Sequence, residues 1–216
     1  MSRLVVAVEG EVTMRAAQSL VVHPGVDQVA LLAPAKSVHF PTVTSPVGWD
    51  LVIGSERAAG AGRKHGIPVA VTGTLDDQPG IFLGSPVGLA LALAVGVDMV
   101  ETIALAQPGE ASGDSTVVFP SPIDARTAIV EHHDGHDIQV ARGQGNLAAV
   151  MVMGSDRHRV VLDDNSFLTG IALAAAAVVG LDSEPGTAMP VWTRSADYLQ
   201  TAVSMGLVIG ERSAAA

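Results

Sequence analysis

The densest group of ionisable side chains in the chain is the run Glu131–Asp137, which reads Glu-His-His-Asp-Gly-His-Asp. The imidazole of histidine gains and loses a proton near neutral pH, which suits it to general acid catalysis. We therefore assign His132 and His133 as the candidate catalytic residues.

Two other interpretations of this run stay open. Histidine and carboxylate side chains also bind divalent metals, and His132 and His136 would form such a site with Asp134 or Asp137. The dipeptide Asp134-Gly135 is also typical of a two-residue β-hairpin turn, which would leave the run as a solvated turn. We assign no metal ligand on this basis.

A second candidate position is a single glycine after the first apolar run, Leu4–Val8. Turns that bind a dinucleotide carry three glycines in the pattern G-x-G-x-x-G, which let the backbone approach the pyrophosphate at a helix N-terminus. Only Gly10 stands in this turn, between Glu9 and Glu11. Each carboxylate would repel a diphosphate by about 1 kcal/mol at partial burial. We predict that Gly10 and Glu11 contact the cofactor if one binds.

Polar residues also follow the later strands that the sequence predicts. Ser55 follows the third strand, Thr72-Gly73-Thr74 follows the fourth, and Ser85 comes just after a short fifth strand, Gly80–Leu83. Open α/β sheets bind their ligands at the carboxyl ends of the strands. Ser55, Thr72, Gly73, Thr74 and Ser85 are therefore predicted as cofactor-binding residues, although Ser55 also fits the role of a helix N-cap.

The residues after the second strand differ from those of a typical NAD site. An acidic side chain is expected there for the ribose hydroxyls, but the chain has Ala33-Pro34. A 2′-phosphate would require a nearby cation, and Lys36 is the basic residue available.

The elements that carry these residues alternate in the first half of the chain. Four short apolar runs rich in β-branched residues predict strands: Leu4–Val8, Val26–Leu32, Trp49–Ile53 and Ile67–Val71. Helices are predicted at Val12–Val22 and Ser55–His65. This order predicts an α/β fold, with a Rossmann-like parallel sheet covered by helices over residues 1–95.

Closely spaced strand candidates without intervening helices predict an α+β half with a mixed or antiparallel sheet over residues 96–216. These strands are Thr116–Phe119, Ala128–Glu131, Asp137–Arg142, Ala148–Met153 and Arg159–Leu162. Helices follow at Phe167–Val179 and Ser195–Met205. A strand as apolar as Ala148–Met153 is usually covered, either by helices or by the sheet of a second subunit. We predict a homodimer that pairs through this C-terminal sheet.

Composition excludes several classes of function. The net charge of −10 argues against nucleic acid or an anionic membrane as partner. The absence of cysteine excludes disulfides, thiol nucleophiles and Cys-ligated zinc. The longest apolar runs fall short of the ~20 residues of a membrane span, and we expect a cytoplasmic protein.

Four stretches resemble parts of the two-domain reductases related to dihydrodipicolinate reductase and saccharopine dehydrogenase. Gly66–Thr74 is similar to the strand and turn that face the nicotinamide, and Gly84–Ala94 to the next strand-to-helix junction. Asn165–Gly180 resembles the long helix near the end of those chains. Glu131-His132-His133 is similar to the acidic-His-His run in which a histidine serves a dicarboxylate substrate. The resemblance implies NAD or NADP as cofactor and oligomerisation through the second sheet.

Two function classes follow. The first is an NAD(P)-dependent oxidoreductase of unknown substrate, with a cleft between the strand-end residues and the two histidines. The alternative is a non-catalytic relative that binds a small molecule or acts by protein association. The missing glycines favour the alternative, whereas the Thr-Gly-Thr turn and the histidines favour the enzyme.

Overall fold

The computed structural model describes residues 2–54, 56–71, 81–83, 89, 102–106, 129–133, 136–142, 147–153, 157–163, 166–181 and 195–212. In some of these segments, among them every strand between residues 81 and 163, only the backbone is described. Ser55, Thr72, Gly73, Thr74, Ser85 and the predicted strand Thr116–Phe119 lie outside the described residues.

The first part of the chain alternates strands and helices. The strands are β1 (Arg3–Val6), β2 (Gln28–Leu32), β3 (Thr42–Val43), β4 (Leu51–Gly54), β5 (Val69–Val71) and β6 (Ile81–Leu83). The helices are α1 (Glu11–Val21) and α2 (Glu56–His65).

These six strands form one sheet in the order β3-β2-β1-β4-β5-β6, and every neighbouring pair is parallel. This is the strand order of a Rossmann-type fold, in which the chain builds outward from β1 on one side and then crosses to the other. The predicted Rossmann-like α/β architecture is confirmed. The reversal of direction lies between β1 and β4.

Strand β3 is absent from the sequence-based prediction, which treats residues 33–48 as an irregular connection. Its two residues pair with Leu31 and Leu32, and the Ala33 N–H donates to the Val43 carbonyl at 2.8 Å. The neighbouring Phe40 is buried. A two-residue strand among prolines and serines is too short to produce a periodic pattern, so only pairing with β2 reveals it.

Both faces of the first sheet are covered, which explains why its strands are apolar without alternation. On one face a buried cluster joins strand residues to α1 and to a late helix, α3 (Ser166–Leu181). Its members include Leu4, Val6, Leu20, Leu31, Leu51, Ile53, Leu173, Ala174 and Ala177. The opposite face packs against α2, through Val5, Ala7, Leu32, Val52, Ala58 and Val69.

Helix α3 is buried almost all round, as an apolar helix in a core must be. It crosses α1 so closely that a Cβ atom on Gly170 would lie 2.6 Å from the Arg15 Cβ and 3.1 Å from the Val12 carbonyl oxygen. The last helix, α4 (Ser195–Ser204), holds it from another side, where the buried Tyr198 hydroxyl donates to the Ala172 carbonyl at 3.1 Å. Helix α3 belongs to the predicted second half but completes the core of the first sheet.

A second sheet is formed by strands from the rest of the chain. They are β7 (Thr102–Ala106), β8 (Ile129–His133), β9 (His136–Arg142), β10 (Leu147–Met153), β11 (Arg157–Asp163) and β12 (Val208–Arg212). Their order is β12-β7-β11-β10-β9-β8, and all pairs are antiparallel except β7 with β11. The boundary at residue 95 and the homodimer remain predictions. No helix in the described segments is long and apolar enough to cross a bilayer.

Candidate functional site

The amino-terminal edge of the first sheet is closed by its own side chains. The Asp27 carboxylate accepts a hydrogen bond from the Ser2 N–H, and Asp50 accepts one from the Arg3 N–H at 2.7 Å. Asp50 also pairs with the Arg3 guanidinium at 3.8 Å, where both groups are partly exposed. The Ser2 and Arg3 N–H groups at this edge are therefore engaged. Open α/β sheets bind their ligands at the opposite, carboxyl edge.

At the carboxyl edge, the reversal point is formed by the segments that leave β1 and β4. The Ala7 N–H donates to the Ile53 carbonyl at 2.8 Å, so the two strands stay together to their ends. A Cβ atom on Gly54 would lie 2.8 Å from the Ala58 Cβ and 3.0 Å from the Ala7 carbonyl oxygen. Glycine at position 54 is thus required for β4 to pass this close to β1 and α2.

Gly10, in the turn between β1 and α1, is not crowded by its described neighbours as Gly54 is. Its backbone is extended, with φ 169° and ψ −167°, a conformation that any residue can adopt. A Cβ atom added here would meet no atom of the described residues within 4 Å. Nothing in the described part of the chain requires glycine at position 10, and no described atom fills the space that its missing side chain leaves.

Thr13 secures the backbone of this turn from within. Its hydroxyl accepts a hydrogen bond from the Glu9 N–H at 3.0 Å and donates to the Gly10 carbonyl at 3.1 Å. The Met14 N–H donates to the same carbonyl at 3.2 Å. Only 5% of Thr13 is exposed. Because Thr13 holds the Glu9 N–H, that amide is not offered to a phosphate.

Sequence reasoning overlooked this role of Thr13. If Gly10 is aligned with the middle glycine of the G-x-G-x-x-G pattern, Thr13 stands where the third glycine is expected. In that alignment Thr13 is only a mismatch to the pattern. The signal for a structural role was nonetheless present, since threonine three residues after a turn glycine is well placed to bond its carbonyl.

The charges at the turn are mixed. Glu11 begins α1, where a carboxylate interacts favourably with the helix dipole, and no side chain caps the helix at Gly10. Arg15 pairs with Glu11 one turn along the helix at 3.8 Å, with 51% and 66% of the two side chains exposed. An exposed pair of this kind contributes at most about 0.5 kcal/mol. Arg15 can therefore leave Glu11 and pair with a bound anion at a small cost in free energy.

An open depression of about 420 Å³ lies beside this turn. It is lined by Val8, Gly10, Glu11, Met14, Arg15 and Gln18. A volume of this size can accept part of a small ligand. Of the predicted cofactor-binding residues, the described part of the structure therefore brings Gly10 and Glu11 together at one surface.

The end of β2 provides the expected position of the adenosine ribose in a Rossmann-type site. The Ala33–Pro34 peptide is cis, and the Ala35 N–H donates to the Leu32 carbonyl at 3.4 Å. Lys36 is exposed just beyond this turn. The chain offers a cation and no carboxylate between residues 33 and 36.

The two candidate catalytic histidines lie next to each other in β8, within the second sheet. Successive residues of a strand occupy opposite faces, so His132 and His133 do not share a face. In the register of β8 with β9, His132 is paired with Asp137 and His133 with His136. A site on one face of the sheet can therefore use only one of the two.

The same register corrects the metal site that joins His132 to His136. These residues occupy opposite faces, because His136 is paired with His133 and shares its face. His136 and Asp137 are likewise on opposite faces. The hairpin predicted at Asp134-Gly135 agrees with the antiparallel pairing of β8 and β9, although these two residues lie outside the described part of the chain.

No protein-family model and no curated protein matches this chain. The solved structures that are similar to it include the following two. One is a dipicolinate-bound dihydrodipicolinate reductase from Paenisporosarcina sp. TG-14, with 10% sequence identity over 86% of this chain and 96% of that chain, at a TM-score of 0.40. The other is a biliverdin reductase from Synechocystis sp. PCC 6803 in complex with biliverdin and NADP+, with 11% identity over 93% and 96% of the two chains, at a TM-score of 0.39. Likeness at this level does not extend to individual residues, cofactor or substrate.

Proposed function

We propose that this protein binds a nicotinamide dinucleotide at the turn between β1 and α1 and acts as an NAD(P)-dependent oxidoreductase on a small molecule. The observation that carries the proposal is the strand order, whose direction reverses at the carboxyl edge between β1 and β4. In open α/β sheets this reversal creates the crevice in which ligands bind. Gly10, with open space above it, stands at this reversal.

The residues of the turn fit a dinucleotide in part. Gly10 leaves room for a pyrophosphate close to the backbone, and the first turn of α1 points its N–H groups toward that space. Arg15 can supply a positive charge from the lining of the depression. Lys36 would serve a 2′-phosphate, which favours NADP over NAD. When bound, the nicotinamide would supply or accept a hydride.

The remaining residues of the proposed site follow other strands of the same sheet in the chain. Ser55 comes directly after β4, Thr72-Gly73-Thr74 directly after β5, and Ser85 two residues after β6. The carboxyl ends of these parallel strands meet at one edge, which supports assigning the segments to one site. One of His132 and His133 would act as the general acid toward the substrate.

A second candidate function, a non-catalytic relative, is favoured by two features of the turn. Glu9 and Glu11 place two carboxylates beside the phosphate position, each worth about 1 kcal/mol of repulsion at partial burial. Thr13 also occupies the Glu9 N–H. In this case the open space at Gly10 would take a small uncharged or cationic metabolite, or no ligand.

Titration with NADPH and NADH, followed by calorimetry and thermal unfolding, separates the two functions. At tenfold excess over its dissociation constant, a bound cofactor stabilises the protein by about 1.4 kcal/mol. For a chain of this length that raises Tm by about 3–6 °C. The absence of any shift at about 1 mM of either cofactor would exclude the oxidoreductase.

Variants at the turn sharpen this test. Gly10→Ala should weaken binding about tenfold, because the added methyl group occupies the approach to the backbone. Its stability should change by less than about 0.5 kcal/mol, since no atom of the described residues lies within 4 Å of an added Cβ. Gly60→Ala, in the middle of α2 and equally free of neighbours, is the matched control and should leave binding unchanged. Glu9→Gln should tighten binding about fivefold by removing one repulsive charge.

A further inference from the structure

The end of the β8–β9 hairpin combines three residues of types that bind metals in proteins. His133 and His136 are directly paired across the two antiparallel strands. Directly opposite residues in such a pair have Cβ atoms about 4.5–5.5 Å apart and share one face of the sheet. The two histidines therefore occupy neighbouring positions on the same face.

Glu131 belongs to the same face. It precedes His133 by two residues in β8, and the side-chain period of a strand is two. The rise of about 3.3 Å per residue puts its Cα some 6–7 Å from that of His133. Glu131, His133 and His136, which we call the hairpin triad, are thus grouped at one end of one face. His132 and Asp137 occupy the other face of the same hairpin.

The chemistry of the triad suits a borderline divalent cation. Two imidazoles and one carboxylate are ligands that Zn²⁺ accepts with three protein donors and an open position for water. Imidazole also suits Ni²⁺ and Co²⁺, whereas Mg²⁺ and Ca²⁺ prefer sites made of oxygen alone. The chain carries a net charge of −10, which favours a cation over an anion as the partner of such a group. Among the side chains that the structure describes, no cluster of three or more metal-binding groups occurs, and the triad is outside that set.

We propose that the hairpin triad is a binding site for a divalent first-row cation of the Zn²⁺, Ni²⁺ or Co²⁺ type. The site goes beyond the dinucleotide function and does not depend on it. It gives His133 a role as a ligand and leaves His132, paired with Asp137 on the opposite face, as the residue available for proton transfer.

Calorimetric titration of the full chain with Zn²⁺ alone, at neutral pH and without dinucleotide, tests this site. The wild-type protein should bind one ion per chain. His133→Ala and His136→Ala should each weaken binding by about tenfold or more, and Glu131→Gln by a smaller factor. Binding should weaken as the pH falls, because protons compete with the cation for the imidazole nitrogens.

His132→Ala is the matched control, since it removes the same side chain one position away on the opposite face. It should change the affinity by less than about twofold. If the wild-type protein shows no saturable binding up to about 1 mM Zn²⁺, or if His132→Ala weakens binding as much as His133→Ala, the proposal is wrong.

An NMR titration of the wild-type protein tests the site without relying on variants, which can fail to fold. On addition of Zn²⁺, the imidazole NMR signals of His133 and His136 should shift together while those of His132 stay in place. If the His132 signals shift together with those of either residue, the assignment of His133 and His136 as the two histidine ligands is wrong. Because no dinucleotide is present, neither result depends on whether the oxidoreductase function holds.

Discussion

Two glycines lie next to α1, and they differ in the space around them. Gly10, at the N-terminus of the helix, has no atom of the described residues within 4 Å of an added Cβ. Gly170, in α3, lies against the middle of α1, where an added Cβ would come within 2.6 Å of Arg15. One end of α1 is therefore free to meet a ligand, because the contact that fixes the helix lies about one turn further along.

This difference separates stability from binding along a single helix. The crossing of α1 and α3 contributes to the largest described core cluster and leaves no room for change. The turn at Gly10 is set by the three hydrogen bonds around Thr13 and keeps an open surface. Substitutions at the crossing, or of Thr13 inside the turn, should therefore change the free energy of unfolding, and substitutions at the open surface of Gly10 should change ligand affinity.

The largest effect is expected from Gly170→Val. A Cβ atom at this position would lie 2.6 Å from the Arg15 Cβ and 3.1 Å from the Val12 carbonyl oxygen, so the helices must shift. Overpacking of a core costs about 1–3 kcal/mol or more. We expect a loss of about 3 kcal/mol in the free energy of unfolding, measured by urea denaturation. Gly60→Val, where α2 has open space, should stay within about 0.5 kcal/mol of the wild type. Equal effects of the two variants would show that the helices do not cross closely.

A smaller effect is expected from Thr13→Val, which keeps the shape of the side chain but removes its hydroxyl. The Glu9 N–H loses its acceptor, while the Gly10 carbonyl keeps the bond from Met14. We expect a loss of about 1–2 kcal/mol, also from urea denaturation.

Thr42→Val provides the control for this substitution. The Thr42 hydroxyl donates to the Ala35 carbonyl at 3.3 Å in an exposed position. Because water can replace this bond, its loss should cost less than about 0.5 kcal/mol. If Thr13→Val were equally mild, Thr13 would not be what holds the turn.

The smallest effect concerns the other end of α1, where burial lowers the pKa of His23. The His23 Nδ1 accepts a hydrogen bond from the Gly25 N–H at 3.1 Å, which requires the neutral ring. Since the folded pKa lies below the unfolded value of about 6.5, the unfolded chain binds more protons in that window. Stability should be full above about pH 6.5 and fall as the pH drops through the folded pKa.

This pH dependence can be isolated by comparing unfolding curves of wild type and His23→Gln between about pH 5 and 8. The part of the acid-side decline that His23 causes should be missing in the variant. An unchanged difference between the two proteins across this range would contradict the inferred contribution of His23.

The elements of the first sheet could be predicted from sequence because their signals are local. The predicted strand Leu4–Val8 corresponds to β1, and the predicted helix Val12–Val22 corresponds to α1 within one residue at each end. Continuous β-branched runs mark strands that are covered on both faces, and β1 is such a strand. By contrast, β3 and β12 were missed. Strand β3 has only two residues, and β12 reads Val-Ile-Gly-Glu-Arg, which neither alternates nor forms a continuous apolar run.

The candidate site could be predicted only in part. The sequence predicts a turn at Gly10 and Glu11 between a strand and a helix, and the structure has this turn there, whereas a role of the two residues in binding stays a prediction. The bonds of Thr13 and the pairing of His133 with His136 were not predicted, since both depend on which backbone groups become neighbours. For the hairpin, a register shifted by a single residue would have paired different residues.

The sequence by itself determined where strands and helices form, because apolar periodicity and turn residues act over a few positions. It also determined that α3 must be buried, since a helix apolar all round has no surface for water. Tertiary structure decided that α3 covers the sheet of the first half, about one hundred residues away along the chain, with Gly170 against α1. Several segments are equally apolar, and which two pack together depends on how well their shapes fit. That fit is a property of both segments and cannot be found in the sequence of either one alone.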